Sequence, residues 1–206
     1  CEFAERLSGR RISGIRRRAK FIVFGLAPDL PLLVHLRMSG RLLLVAGGGE
    51  LSPHQHMIIA LDDGRELRFH DPRKFGRMYL VAEAGERLGR LGPEPLARGF
   101  TARLLAEGLG GRKRSLKPLL LDQSFIAGLG NIYTDEALSL AKIHPLTRAN
   151  EIGEEQAAAL LDSLRIVLEE GIRRNGASID WVYQGGDFQN YFRVYQRTGE
   201  PCPACG

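Results

Sequence analysis

Short runs of alternating apolar and polar residues fill the first half of the chain. "ISGIRRRAKFIVFGL", "PLLVHLRMSGRLLLVA" and "HMIIALDDGRELRFH" are rich in Val, Ile, Leu and Phe and predict strands. In the last of these, Asp63-Gly64 falls where a tight hairpin turn needs a positive φ. "APDLP" (27–31) and "AGGGELSP" (46–53) have loop compositions and mark strand ends. The pattern predicts an antiparallel sheet or sandwich. "LGPEPLARGF" (91–100) breaks it with two prolines and predicts a linker between domains.

Further on the period becomes helical. In "GEEQAAALLDSLRIVLEEGIRRNG" (153–176), Leu160, Leu161, Leu164, Val167, Leu168 and Ile172 recur at helical spacing. Acids come first, Arg173 and Arg174 come last, and Asn175-Gly176 is a stop signal. A second helix is predicted over "NIYTDEALSLAKI" (131–143), ending before His144-Pro145, and a short third over "KPLLLD" (117–122). The tail "FRVYQRTGEPCPACG" returns to alternating β residues that lead into C-x-x-C, which is how a zinc ribbon or hairpin begins.

Composition narrows the function classes. With 206 residues and 44% hydrophobic content the chain can build one large core or two small ones. No apolar run approaches the roughly 18–20 residues that span a bilayer, and the opening residues lack the apolar stretch of a secretory signal. The expectation is an intracellular protein without a membrane partner. Three cysteines cannot build a disulfide framework, which favours a reducing compartment and a metal reading of the C-x-x-C pair.

The net charge of +5 gathers in islands around Arg10–Lys20, Arg68–Arg77 and Arg112–Lys117. Any one of them reads equally as solvated surface, whereas three together tilt toward a polyanionic partner such as nucleic acid. "GLGNIYTDEAL" sets two glycines before a helix that starts at Asn131; the spacing alone reads first as a tight turn with a capped helix and second as an anion site.

"HLRMSGRL", "HDPRKFGR", "LGPEPL", "LKPLLLDQSFIAGLGNIYTDEAL" and "VYQRTGEPCPACG", in this order, resemble the formamidopyrimidine-DNA glycosylase family, bacterial enzymes that remove oxidised purines such as 8-oxoguanine. The resemblance covers the chain from about Arg17 to Gly206 and implies an α+β fold. Its parts are a β-sandwich catalytic domain (1–92), a helix-two-turn-helix domain (93–176), and a lesion-capping loop with the first half of a zinc-finger hairpin (177–206).

What the family does needs base flipping, because a glycosidic bond inside a stacked duplex is out of reach. The resemblance gives the void-filling role to Met38, Arg73 and Phe75. Met and Phe are apolar wedges and Arg can hydrogen-bond the orphaned base, although a lone Met or Phe in a β region is ordinarily buried packing. His54, Arg73, Arg112, Lys113, Lys117 and Asn131 match DNA-binding positions, and Lys20 matches a catalytic-site lysine near the reacting sugar. His35 reads either as a further backbone contact or as a satisfied structural histidine. Cys202 and Cys205 match two of the four zinc ligands, and "ASIDWVYQGGDFQNYF" (177–192) matches the loop that covers the everted base.

The family's nucleophile is an N-terminal Pro followed by Glu, whose α-amino group, with a pKa of about 7.7–8.0, is partly neutral at cellular pH. This sequence begins at Cys1, so the expectation is a piece of the enzyme without its opening helix and without the second half of the finger. The expected partner is double-stranded DNA with oxidised bases or abasic sites, bound by a monomer in the bacterial cytoplasm at the nucleoid. Two alternatives stay open. One is an endonuclease VIII-like glycosylase for oxidised pyrimidines, against which Arg73 and Phe75 in "HDPRKFG" argue. The other is a non-catalytic module that binds damaged DNA.

Overall fold

A computed structural model describes residues 2–178 and 185–204 and divides the chain into two units, Cys1–Gly89 and Arg90–Gly206. In the first, a short helix α1 (Glu2–Leu7) precedes β1 (Ile12–Arg18), β2 (Phe21–Leu26), β3 (Leu30–His35), β4 (Arg41–Ala46), β5 (Gln55–Ala60), β6 (Arg65–His70) and β7 (Arg77–Leu80). The strands form two antiparallel sheets, ordered β1-β2-β3-β7 and β4-β6-β5. Phe24, Leu32 and Val34 of the first sheet share a core with Phe69 of the second, and Phe3 and Leu7 of α1 pack against it. This is the expected sandwich.

Alternation explains which strands are easy to read. On β2 and β3, Val23 and Leu33 are buried as well as Phe24 and Leu32 on the opposite face. A strand covered on both faces reads as a nearly continuous apolar run. The β5–β6 hairpin turns where Asp63-Gly64 predicts it: Leu61 N–H donates to Arg65 O at 2.9 Å, and Gly64 has φ +82°.

Strand register brings several loops to one end of the sandwich. β3 ends at His35 opposite Arg77, where β7 begins, and β4 begins at Arg41 opposite His70, where β6 ends. The two connections 36–40 and 71–76 therefore cross between the sheets side by side. Phe21 pairs with His35, and Gln55 with His70, so the turn before β2 and the loop before β5 lie at that same end. Helix α2 (Gly85–Leu88) closes the unit.

The second unit is helical: α3 (Ala102–Gly110), α4 (Leu116–Leu120), α5 (Asn131–Leu140) and α6 (Glu154–Arg173). Leu160, Leu161, Leu164 and Val167 of α6 face a core with Leu105 and Leu109 of α3 and Leu138 of α5. Ile172, expected on the same stripe, is instead 64% exposed at the end of the helix. Asn175 and Gly176 take positive φ just beyond it, as a stop requires. Helix α3 was not predicted; the Thr101 hydroxyl accepts from Leu104 N–H and caps it.

Two further expectations are corrected. Leu91–Phe100 is not a linker but part of the second unit: Gly92 N–H donates to Gln123 O at 2.9 Å, Ala127 N–H to Pro93 O at 2.8 Å, and Arg165 to Pro95 O and Phe100 O at 3.0 and 2.6 Å. The tail is not a strand among the described residues. A 3-10 turn (Phe188–Tyr191) leads into Arg193, Val194 and Tyr195, whose backbone N–H groups all donate to the buried Glu136 carboxylate at 2.7–3.0 Å. Those donors are spent on a side chain, so none is left for a ladder.

Candidate nucleic-acid interface

Six of the residues singled out in the sequence converge at the end of the sandwich just described: Lys20, His35, Met38, His54, Arg73 and Phe75. Met38 is 66% exposed and Phe75 47%, so neither is core packing. The Arg73 guanidinium lies 5.0 Å from the centre of the Phe75 ring, a cation–π arrangement that holds both on one short turn. That turn is tight: Lys74 has φ +57°, and a side chain on Gly76 would collide with the Phe69 ring. The Met38 turn is built alike, with Arg37 at φ +57° and Gly40 N–H donating to Leu36 O at 3.0 Å.

Beside these turns lies a group of cations. Burial, then Arg37, then Lys20 push the His35 pKa down from 6.5 to about 4, so its imidazole is neutral at physiological pH. Its Nδ1 accepts from Arg37 N–H at 3.0 Å, which leaves the proton on Nε2 as a donor. Phe21 meets the ring edge-on, 4.8 Å between centres. The Lys20 pKa is lowered too, by the protein packed around it and by Arg37. Basic groups that disfavour one another's charge are relieved by an incoming anion. His54 stands edge-on to His70 at 5.7 Å, in the loop before β5.

In the second unit, Asn131 opens α5 with its side chain exposed, after Gly128 at φ +100° and an extended Gly130 at the N-cap. The N-cap residue, Gly130, has no side chain to cap the first turn, an arrangement that suits an anion. One turn on, Asp135 pairs with Lys117 at 2.7 Å, which places Lys117 on the face of α5 that carries Asn131. Arg112 is directed into its own unit: it stacks on Phe125 at 4.8 Å and donates to Gly108 O. Lys113 is exposed in the turn between α3 and α4.

The sequence reading missed Arg37, Asp71, Asp135 and Glu136. Arg37 and Asp71 sit inside quoted motifs, and an aspartate before proline is a visible turn signal. Nothing in the sequence tells that Glu136, one helical position from Asp135, is buried and structural. Of the C-x-x-C pair, Cys202 is exposed and Cys205 lies outside the described residues, as do 179–184 of the capping-loop stretch. Two thiolates fit half of a tetrahedral zinc site, and among the described residues no cluster of three metal-binding side chains occurs. No helix among them is long and apolar enough to cross a membrane.

Comparison with known proteins bears on the same residues. Residues 1–78 match the formamidopyrimidine-DNA glycosylase N-terminal domain, and 91–182 match the formamidopyrimidine-DNA glycosylase H2TH domain. The formamidopyrimidine-DNA glycosylase of Herpetosiphon aurantiacus is 46% identical over 99% of this chain and 77% of its own length. That of Chloroflexus aurantiacus is 47% identical over 99% and 76%. Among solved structures, the complex of Lactococcus lactis Fpg with DNA containing an abasic site is 36% identical with a TM-score of 0.90, covering all of this chain and 78% of that one. MutM in complex with carbocyclic 8-oxo-G containing DNA is 37% identical with a TM-score of 0.91 over the same shares. Both domain matches and the identity over nearly the whole length agree with the two units and their turns: the chain belongs to the formamidopyrimidine-DNA glycosylase family.

Proposed function

We propose that the chain serves base-excision repair, everting oxidised purines from double-stranded DNA and cleaving their N-glycosidic bond. The observation that carries this reading is the convergence of Met38, Arg73 and Phe75 with the cations Lys20 and Arg37 at one end of the sandwich. An everted base leaves a void, and exposed apolar side chains on tight turns are suited to fill it. Arg73 offers its guanidinium to the orphaned base. Lys20, His35 and His54 take phosphates beside the lesion, Lys117 and Asn131 take others, and Arg112 and Lys113 lie on the same helical unit. The Lactococcus and MutM complexes with damaged DNA support this reading.

The finer chemistry is glycosylase followed by lyase. A neutral amine attacks C1′, and the base departs with the electrons of the C1′–N bond and takes up a proton. The nitrogen lone pair then closes the C=N bond as the C1′–O4′ bond breaks and O4′ takes up a proton, and the resulting iminium loses the 3′ and then the 5′ phosphate by β,δ-elimination, each with a proton from the sugar. In the family that amine belongs to an N-terminal proline, which is not among these 206 residues. Lys20 stands near the sugar in this reading. Zinc is the implied metal, with Cys202 and Cys205 as two of its thiolate ligands and a structural role only. The cell compartment is the bacterial cytoplasm, and the working form is a monomer on DNA.

The test is release of 8-oxoguanine from a labelled duplex by the chain preceded by the family's Pro-Glu start, with borohydride trapping of the Schiff base in parallel. Excision is expected, and Met38→Ala together with Phe75→Ala should slow it by about tenfold or more, since replacing lost stacking is worth a few kcal/mol. Binding to an abasic duplex without release of any oxidised purine would leave only the damaged-DNA-binding module.

A further inference from the structure

The Met38 and Phe75 turns belong to different crossings of the sandwich, and 32 residues separate Ser39 from Asp71 in sequence. One carboxylate nevertheless joins them. Asp71 is fully buried. Its Oδ1 accepts from the Ser39 hydroxyl, directly after Met38, and its Oδ2 accepts from Gly76 N–H at 2.7 Å, directly after Phe75. Its own N–H donates to His54 O at 2.9 Å, and its carbonyl lies 3.0 Å from His56 Nε2. Met38, His54 and Phe75 are thus each at, or one residue from, a partner of Asp71. Gly76 is part of the device, because a Cβ there would crowd both the Phe69 ring and the carboxylate.

We propose that Asp71 is the positioning residue of the void-filling set: its carboxylate locks the Met38 turn to the Phe75 turn, so the two wedges enter the duplex as one rigid body. The inference rests on the void-filling reading above. A carboxylate suits the task better than an amide, since each oxygen accepts from a different turn and an Asn would aim an N–H₂ at one of two donors. Burial works against its charge, but the bonds from Ser39, Gly76 and Arg73 prevail and hold its pKa below the usual aspartate value. Preorganisation of this kind avoids ordering two loops in the transition state.

The experiment compares wild type with Asp71→Asn, Ser39→Ala, Met38→Ala and the Asp71→Asn/Met38→Ala double variant. Two readouts are used: fluorescence of 2-aminopurine stacked beside the lesion, which brightens on eversion, and single-turnover excision of 8-oxoguanine. Binding to a tetrahydrofuran abasic duplex, where no base must be displaced, is the control. Asp71→Asn is expected to slow eversion and excision by about ten- to a hundredfold while changing abasic binding by less than about threefold. The double variant should be no slower than the slower single, because residues that act as a unit are not additive. Ser39→Ala removes only one of the two joining bonds and should slow eversion several-fold; it decides the matter if Asp71→Asn does not fold. If Met38→Ala is impaired while Ser39→Ala and Asp71→Asn evert at the wild-type rate, Asp71 is not the lock and the wedge reading survives. If Met38→Ala itself is unimpaired, the wedge reading falls and takes the lock with it.

Discussion

His35 shows how one side chain can sit in a cationic site without adding to its charge. Its folded pKa of about 4 lies below the ordinary 6.5, and its Nδ1 is committed to Arg37 N–H. In the proposed role of phosphate donor it would work neutral, through Nε2–H, whereas Lys20 would bring a charge. Counterion release separates the two. Lys20→Ala should lower the magnitude of the slope of log K against log salt by about 0.9 for a duplex ligand, and His35→Gln should weaken binding while leaving that slope unchanged. The same pKa has a stability consequence with a definite sign. A depressed histidine pKa favours the neutral form in the folded state, so its contribution is complete above pH 6.5 and is lost as pH falls toward 4, where the unfolded chain holds a proton that the folded chain does not. Urea unfolding across that window should fall less steeply for His35→Gln than for wild type; equal slopes would refute the assignment.

Elements were legible where burial follows a period, and obscure where a distant partner decides. The strands of the first unit and helix α6 could be read because alternation and the 3.6-residue repeat report the buried face directly. Helix α3 escaped because it is only nine residues long, is flanked by glycines, and buries just Leu105 and Leu109. The tail misled for another reason: "FRVY" has β composition, but Glu136 on α5 claims the three N–H groups, and no local pattern announces a partner 57 to 59 residues away. Asp71 is hidden in the same way, because its carboxylate is claimed by Ser39, 32 positions earlier in the sequence, as well as by the nearby Gly76. Glu136 then becomes the anchor of its element. Truncating a buried carboxylate that satisfies three donors should cost about 2–4 kcal/mol. The aromatic ladder Tyr133–Phe188–Phe192–Tyr195, with ring centres 5.3–5.4 Å apart, should keep the segment from detaching altogether. Glu136→Ala is therefore expected to lower the urea midpoint and to speed tryptic cleavage after Arg193 and Arg197; unchanged cleavage would mean that the ladder alone holds the tail.

At the scale of the molecule the two units have unequal cores. Among the described residues the helical unit gathers 20 buried apolar residues in one cluster, against six in the cluster between the sheets. Local stability follows buried apolar packing, so amides of α3, α5 and α6 should exchange hydrogen more slowly than those of β4–β6. DNA changes this in a way that tests the proposed contacts on both units at once. A ligand that binds only the folded form stabilises what it touches, by about 2.7 kcal/mol at a hundred times its Kd, or roughly a hundredfold in the protection of an amide. Lys20, His35 and Arg73 belong to the sandwich, and Lys117 and Asn131 to the helices, so a tetrahydrofuran duplex should slow exchange in both. Added salt should reverse the effect in both, as phosphate contacts require. Slowing confined to the strands would show that the α5 N-terminus and its Lys117 neighbour are a structural turn, leaving the sandwich end as the whole of the DNA site.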